Sequence, residues 1–384
     1  MPGEIPPKKR GRIGSFWQQM TDGLELQELW GQFKSEAREG YALYEKDVDW
    51  EEVKKEKSGF KRFLRKWYLL FKAMLMKLSP ARRVLLLAAL VMIVFHPEVQ
   101  GKRGEVFTID LVGLGAAILF VLLALELAER VTMKRDLEIA REIQQWLVPH
   151  TPPDVSGYDI AFATRPQNTV AGDYYDAFVR EMPGASADAA PMMVVVADVA
   201  GKSVPAALLM ATFQSGVRAL ASTTATLDEV VAGLERYARA HSLEGRRFTT
   251  AFLAEIDRGT RVMRYTNCGH NDPILRRASG ALERLGVGGP PLGLPVLTDV
   301  EIPYASASVT LAPGDLLFVF TDGLVEAVNE KGEEFKEERL LRSIEAGATG
   351  NAAEILARVM NDVNTFVGFA RQHDDITALV LRVN

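Results

Sequence analysis

Four acidic sites in the C-terminal two thirds of the sequence share one design: a carboxylate at the edge of an apolar run. Asp198 ends one such run, and Asp322 ends another and is followed by glycine. Asp173 follows an early strand-like segment, whereas Asp374 and Asp375 precede the last one. Glycine beside a carboxylate lets the backbone approach a ligand closely. The repeated design indicates that these side chains act together on one ligand.

Carboxylates that converge at one sheet edge repel one another unless cations lie among them. Hard oxygen ligands select Mg²⁺ or Mn²⁺. Two such ions about 3.5–4 Å apart can bind a phosphoryl group and lower the pKa of a water, which supplies the nucleophile for in-line hydrolysis. No P-loop, Ser/His/Asp order or pair of metal-ligand histidines competes in the sequence. We therefore expect a site for two Mn²⁺ or Mg²⁺ ions, with Asp198 and Asp322 as its catalytic residues.

Three other residues are weaker candidates for chemistry. Cys268, the only cysteine, lies two residues before His270, but a reactive thiolate needs an electropositive setting that the local sequence does not supply. His270 lies in a predicted turn, which favours a structural role, since a general acid must reach the leaving oxygen. Arg165 is a candidate for contacting a substrate phosphate, because guanidinium groups match phosphate geometry, although a surface arginine at a strand end is an equal alternative.

The elements that must position these residues are readable from residue patterning. The apolar patterns predict strands at 159–165, 192–197, 248–257, 261–266, 308–311, 316–321 and 376–383, and helices at 205–221, 227–241, 338–346 and 352–369. Strands in clusters, separated by pairs of helices, predict an α+β layered domain over residues 151–384.

The composition limits the classes of protein to which the chain can belong. A net charge of −5 argues against a general nucleic-acid-binding protein, so we expect no nucleic-acid partner. A lone cysteine excludes a disulfide framework and fits a reducing compartment. The length of 384 residues favours two or three domains.

The N-terminal third differs from the rest in being basic and apolar. Residues 1–80 are predicted to be a basic, partly helical cytoplasmic region; between positions 54 and 83 there are eleven Lys and Arg against one acid. Apolar runs at 84–95 and 111–125 predict a two-span transmembrane hairpin over 81–127. The cationic excess before it places both chain ends in the cytoplasm and the protein in the cytoplasmic membrane of a bacterium. The alternative is a pair of buried helices in a soluble sensor domain.

A charged helix over residues 128–150 is predicted to link the two regions. Met133, Leu137, Ala140 and Leu147 recur at steps of three and four, with Gln144 at the remaining position, which is a short and imperfect heptad pattern. We expect this linker to form a coiled-coil-like homodimer. Prolines after it mark the domain boundary.

The motifs of residues 135–384 resemble, in family order, those of the bacterial branch of the metal-dependent Ser/Thr protein phosphatases, the SpoIIE/RsbU-like members of the PPM (type 2C) family. The central motif is Val195-Val-Ala-Asp-Val-Ala-Gly-Lys202. The others lie at 140–149, 170–176, 248–252, 267–271, 289–294, 321–327 and 374–377. Departures are Ala171 where the family usually has Gly, Ser203 in place of Gly, and Cys268 in place of Ala; none removes a carboxylate.

The resemblance implies an α-β-β-α sandwich and assigns metal ligands within it. Asp173 would bind one ion and Asp198 would bridge both, with the Val199 carbonyl as a further ligand. Asp322 and Asp374 would complete the pair, while Asp375 and Asp176 both rank second.

The resemblance also implies the substrate, which would be phosphoserine or phosphothreonine on a partner protein, in this family an anti-anti-sigma regulator of the STAS type. Two other functions stay open: a catalytically silent scaffold that binds the same partner, and a phosphohydrolase that acts on a non-protein substrate. The intact carboxylate set argues against the scaffold.

Overall fold

The computed structural model describes residues 58–95, 98–100, 106–108, 111–181, 190–224, 226–241, 247–294 and 304–384. The chain divides into two units, residues 1–130 and 131–384. Of the predicted basic region 1–80, residues 1–57 therefore lie outside the described residues.

The described part of the first unit contains three helices and a small hairpin. Helix α1 spans Gly59–Lys77 and α2 spans Pro80–Val94, where Pro80 occupies the first turn and so costs no hydrogen bond. Strands β1 (Glu98–Gln100) and β2 (Val106–Thr108) pair in antiparallel fashion. Helix α3 then spans Leu111–Leu147, and the boundary between the two units falls within it.

Helices α2 and α3 contact each other within the first unit through small residues and ion pairs. A Cβ on Gly115 would lie 2.9 Å from the Ala89 carbonyl oxygen, so the absence of a side chain permits this approach. Arg82 Nη1 lies 2.6 Å from Glu129 Oε2 and 3.4 Å from Glu126 Oε2. Helices α2 and α3 thus pack against each other, and the transmembrane hairpin over 81–127 stays a prediction.

Two helices of the described ranges, α3 and Ser203–Thr223, are long and apolar enough to cross a membrane by length and composition. The second of these packs its apolar face on a sheet, as described below. Helix α2 has 15 residues, fewer than the roughly 20 that a span requires.

The second unit is built on two largely antiparallel sheets. The first has the order β10-β7-β6-β5-β4, with β11 also paired to β7. Its strands are β4 (Tyr174–Val179), β5 (Met192–Val199), β6 (Thr249–Ile256), β7 (Val262–Cys268), β10 (Gly288–Gly289) and β11 (Ala307–Thr310). The second has the order β3-β13-β12-β8-β9. Its strands are β3 (Tyr158–Arg165), β8 (Ile274–Arg276), β9 (Leu282–Arg284), β12 (Leu316–Phe320) and β13 (Ile376–Val383).

The two sheets face each other across a shared apolar core. Val194 and Val196 of β5 meet Val319 of β12 and Leu379 of β13 in this layer, all of them fully buried. Because successive side chains of a strand point to opposite faces, the intervening Val195 faces outward instead. The alternation therefore decides which strand residues reach the space between the sheets.

Helices cover both outer faces, which completes four layers. Helices α4 (Ser203–Thr223) and α5 (Leu227–Ala240) pack on the first sheet, where Met210 and Val217 are fully buried. Helices α7 (Lys336–Gly347) and α8 (Ala352–Val367) cover the second sheet, and the short α6 (Asp322–Val325) follows β12. The predicted α-β-β-α sandwich is confirmed.

The sequence located most strands and helices within two residues of their ends, but it missed four strands of this unit. These are β4, β8, β9 and β10, of which the last three have two or three residues. The linker also differs in detail from its expected heptad pattern. Gln144, at one predicted contact position, instead exchanges two hydrogen bonds with the backbone of Ala171 in the same chain.

Candidate metal centre

Asp198 reaches the space between the sheets because it continues the inward face of β5. Val194 and Val196 lie on that face, and Asp198 is the next residue in register, opposite Thr250 of β6. Burial and, to a smaller extent, the nearby charges of Asp322 and Asp374 together raise its pKa to about 7. A carboxyl group perturbed in this way by its neighbours marks the centre of an acidic cluster.

Asp173 joins the cluster from the residue before β4 and is almost fully buried. Burial raises its pKa well above the ordinary value, and the charges of Asp198 and Asp375 raise it further. The Thr321 hydroxyl donates a hydrogen bond of 3.0 Å to Asp173 Oδ2, which favours the ionised form. Thr321 directly precedes Asp322, so this bond links the carboxylates that the two sheets contribute.

Asp322 and Asp374 come from the second sheet, at the end of β12 and just before β13. Burial raises the pKa of Asp322, and the charge of Asp374 adds to the increase. Asp374 Oδ2 lies 3.0 Å from Lys202 Nζ, an ion pair that sequence analysis did not anticipate. The Gly-Lys turn after Asp198 was visible in the sequence, but its contact with position 374 was not.

Asp375 has a different role from its neighbour, because both of its carboxylate oxygens already accept backbone hydrogen bonds. Gln167 N donates to Oδ1 and Gly172 N donates to Oδ2, each at 2.6 Å. These bonds hold the loop that leads to Asp173 against the second sheet. Asp375 thus lies in the cluster, as predicted, and also fixes the loop that carries another member.

Two glycines let the backbone segments of the cluster come together. A Cβ on Gly172 would lie 3.2 Å from the Val199 carbonyl oxygen and 3.8 Å from Asp198 Oδ1. A Cβ on Gly323 would lie 2.0 Å from the Asp375 carbonyl oxygen, a distance that no real side chain can adopt. The Val199 carbonyl, predicted as a ligand, therefore lies beside the same loop as Asp173.

Asp176, the second-ranked candidate, does not belong to this cluster. It lies three positions after Asp173, so strand alternation turns it to the opposite face of the sheet. There the Arg218 guanidinium of α4 donates to both its carboxylate oxygens, at 2.8 and 2.9 Å, and the Tyr174 hydroxyl donates at 2.6 Å. Asp176 fixes helix α4 to the sheet.

The remaining candidates have structural surroundings. Cys268 is fully buried, and burial raises the pKa of its thiol, so it is not the reactive thiolate of the alternative considered above. His270 is buried with its Nδ1 3.1 Å from the Thr250 hydroxyl, and burial lowers its pKa to about 4. The Arg165 guanidinium donates to Gln372 Oε1 at 2.6 Å and also to Asn364.

The chemistry of the cluster fits divalent cations. All donors are carboxylate or carbonyl oxygens, the ligands that Mg²⁺ and Mn²⁺ prefer, and the mutually raised pKa values show an excess of negative charge. Within the described ranges, no three His, Cys, Asp or Glu side chains are already gathered around one point as ligands of a single ion. The carboxylates nevertheless lie near enough to one another for their charges to interact.

Comparison with known proteins gives matches to phosphatases. A family model described as Stage II sporulation protein E (SpoIIE) matches residues 188–384. Protein IcfG of Synechocystis sp. (strain ATCC 27184 / PCC 6803 / Kazusa) is 26% identical over 275 residues, which cover 65% of this chain and 42% of that protein. Phosphoserine phosphatase RsbU of Bacillus subtilis is 27% identical over 251 residues, covering 65% of this chain and 70% of that protein. The SiaA-PP2C domain of Pseudomonas aeruginosa has a TM-score of 0.55 at 21% identity, covering 67% of this chain and 99% of that domain.

These matches differ in what they establish. The family match extends over more than half of the chain and includes Asp198, Asp322, Asp374 and Asp375. The structural likeness at 21% identity shows a common α+β fold. The chain spans less than half the length of the Synechocystis protein.

Gly323→Ala should weaken binding of divalent metal, because the new methyl group would push the 374–375 segment away from Asp322. We expect the affinity for Mn²⁺, measured by isothermal titration calorimetry, to fall by about 10–100-fold, the range seen when supports of metal ligands are removed. Gly259→Ala is the matched control, since the nearest atom to its added carbon is 3.4 Å away. Parent-like Mn²⁺ affinity in Gly323→Ala would show that the close approach does not position the ligands.

Proposed function

The chain belongs to the SpoIIE family of PP2C-type protein serine/threonine phosphatases, and on that basis we propose that residues 151–384 hydrolyse phosphoserine or phosphothreonine on a partner protein. The observation that carries the proposal is the convergence of Asp173, Asp198, Asp322 and Asp374 from two sheets onto one edge of the sandwich, with pKa values raised for the first three. Such a cluster needs cations, and phosphoryl transfer is a reaction that paired cations promote.

The four carboxylates and the Val199 carbonyl would hold two Mn²⁺ or Mg²⁺ ions. When bound, such ions neutralise phosphoryl charge and lower the pKa of a water. The protein's own contribution is positioning. Thr321 orients Asp173, and Asp375 fixes the loop that precedes it.

A protein-borne phosphate fits the surroundings of the site. An open pocket of about 210 Å³ adjoins Asp374, and the side chains of Lys202 and Asp374 are 51% and 42% exposed. A phosphorylated residue on another protein's surface can therefore reach the edge of the cluster. We propose a STAS-type anti-anti-sigma protein as the partner, with support from the likeness to the phosphoserine phosphatase RsbU.

The scaffold and the non-protein phosphohydrolase remain the competing functions. A scaffold would require no carboxylate cluster, yet all four carboxylates proposed above as metal ligands are present at the site. The non-protein substrate differs from the proposal only in what occupies the pocket, so a comparison of substrates separates the two.

Asp322→Asn should abolish turnover while the fold is retained, because the amide keeps the shape of the side chain but loses its charge. With Mn²⁺ present, we expect the full chain to dephosphorylate a phosphoserine STAS protein. Asp322→Asn or excess chelator should lower this rate more than about 100-fold. This loss exceeds the effect of removing a residue that only supports a metal ligand. Asp154→Asn, a change at an exposed position, should have no effect.

Three outcomes would overturn parts of this function. Full activity in excess chelator would exclude the metal-dependent mechanism. Absence of turnover by a folded, Mn²⁺-loaded parent would favour the scaffold. Preference for nucleotides over phosphoproteins would favour the non-protein phosphohydrolase.

We further propose that residues 81–127 insert into the cytoplasmic membrane as a helical hairpin, with both chain ends in the cytoplasm. Helices α2 and α3 carry many exposed large apolar side chains, which soluble proteins rarely group together; they include Val84, Leu87, Val91, Val94, Leu114, Phe120, Val121 and Leu123. A helix of 15 residues covers about 22 Å, so residues flanking α2 would have to enter the bilayer as well.

The hairpin predicts a defined topology. Alkaline phosphatase inserted between positions 101 and 104 should be active outside the cytoplasm, while a fluorescent protein at the C-terminus should fluoresce inside. Recovery of the untagged protein in the soluble fraction without detergent would contradict the membrane insertion.

We also propose that two copies of the chain associate through the linker part of α3. Ile139, Ile143 and Trp146 lie on one helix face at steps of four and three, and they are 45%, 50% and 80% exposed. Burial of this face against the same face of a second copy would remove its apolar surface from water. We place the dimer contact on this face because Gln144, one position of the predicted heptad pattern, is hydrogen-bonded to Ala171 of its own chain.

Ile143→Glu combined with Trp146→Glu should therefore convert a dimer into a monomer, because charges would be buried at the contact. Light scattering coupled to size-exclusion chromatography, with detergent corrected for, measures the mass. Gln145→Glu adds a charge at an adjacent exposed position and should leave the dimer intact. A monomeric parent, or a double variant that remains dimeric, would refute this contact.

A further inference from the structure

Lys202 places a positive charge at the edge of the carboxylate cluster. Its ammonium lies 3.0 Å from Asp374 Oδ2 and donates to the His373 carbonyl oxygen at 2.5 Å. Burial raises the pKa of Asp322 and of Glu326, and the charge of Lys202 partly offsets this rise. Lys202 therefore faces the cluster, although its side chain is half exposed.

The backbone around Lys202 is fixed at a defined place. Ala200 N donates to the Phe248 carbonyl oxygen at 2.9 Å, and Arg247 donates to the Ala200 carbonyl at 3.1 Å. Gly201 and Ser203 then adopt positive φ angles of 125° and 62°. This turn sets Lys202 directly between the strand that bears Asp198 and the first turn of α4.

Lys202 is also the N-cap residue of α4, and its side chain makes no capping hydrogen bond. The first backbone N–H groups of a helix lack partners within the helix and carry a partial positive charge. An ammonium group and the start of a 21-residue helix thus lie together beside the cluster. Both favour an anion at this position.

The adjoining pocket of about 210 Å³ has two cationic side chains in its lining, Arg165 and Lys202. The Arg165 guanidinium is already bound to Gln372 and Asn364. An ammonium has three N–H donors, and the described contacts of Lys202 use two of them. Its flexible four-carbon stem allows the group to turn from Asp374 toward a ligand in the pocket.

We propose that Lys202 is a catalytic residue that binds a non-bridging oxygen of the substrate phosphoryl group and of the product phosphate. The proposal rests on the function proposed above, because a phosphoryl group held at the carboxylate cluster lies within reach of an ammonium beside Asp374. When divalent cations balance the charge of Asp374, the ammonium is no longer needed there. It is then available to the dianionic phosphate monoester.

The test measures binding of inorganic phosphate to the Mn²⁺-loaded full chain by calorimetry, together with hydrolysis of p-nitrophenyl phosphate. Lys202→Gln should weaken phosphate affinity and raise KM by about tenfold or more, the loss expected for one charge-assisted hydrogen bond. Lys202→Arg should restore much of both, since it keeps the charge. Lys331→Gln is the matched control, because it removes the charge of an exposed lysine elsewhere in the domain.

Direct measurement of Mn²⁺ affinity distinguishes this role from that of an ion-pair partner. Tighter Mn²⁺ binding in Lys202→Gln with unchanged phosphate affinity would overturn the proposal, because Lys202 would then only compete with the metal. A parent that binds no phosphate would also overturn it. Phosphate binding that depends on Lys202 in a protein without phosphatase activity would support it and refute the proposed function instead.

Discussion

Repulsion among buried carboxylates is the constraint on which the rest of this domain depends. Asp173 and Asp198 have raised pKa values because they are taken out of water and because each lies in the field of other acids. A carboxyl group with a pKa of about 7 is only partly ionised at neutral pH, so the raised pKa of Asp198 reduces the negative charge that the cluster carries. A divalent cation bound among these carboxylates would offset their repulsion.

The packed sandwich stabilises the domain against the destabilising effect of these buried carboxylates. Asp173 and Asp198 belong to the first sheet, and Asp322 and Asp374 to the second, so the distance between the two pairs depends on what separates the sheets. That layer is filled by side chains such as Val196, Val319 and Leu379, all fully buried. Close-packed interiors yield little to strain, so the two halves of the site are held at a fixed spacing.

Long apolar runs made much of this arrangement predictable from sequence. Strands β5 and β12 carry uninterrupted apolar residues, and each ends in a carboxylate, so Asp198 and Asp322 could be located directly. Strand β4 was missed because Tyr174, Asp176 and their neighbours are buried on both faces and do not read as an apolar run. The sequence analysis ranked Asp176 behind Asp173, but it did not show that Asp176 faces α4. That orientation follows from the alternation of side chains along β4.

Contacts between distant residues were beyond sequence reasoning. The ion pair of Lys202 with Asp374 joins positions that are adjacent only because β13 returns beside β12 and places its N-terminal end near the turn after β5. The hydrogen bonds from Gln167 N and Gly172 N to the Asp375 carboxylate likewise join residues that are far apart in the sequence. Periodicity carries no information about such pairs, because it describes a residue's own element and not the neighbour that folding brings to it.

The turn between β5 and α4 shows how backbone strain serves this arrangement. Ser203 has a φ of 62°, in the left-handed region, where a residue with a side chain costs about 1–3 kcal/mol. Such a cost persists only where surrounding contacts determine the conformation, and here Phe248 and Arg247 fix the backbone of Ala200 just before the turn. A relaxed φ at Ser203 would redirect the chain at the point where Lys202 leaves it. The strained backbone at Ser203 therefore directly follows Lys202, and the contacts of Ala200 hold the chain just before it.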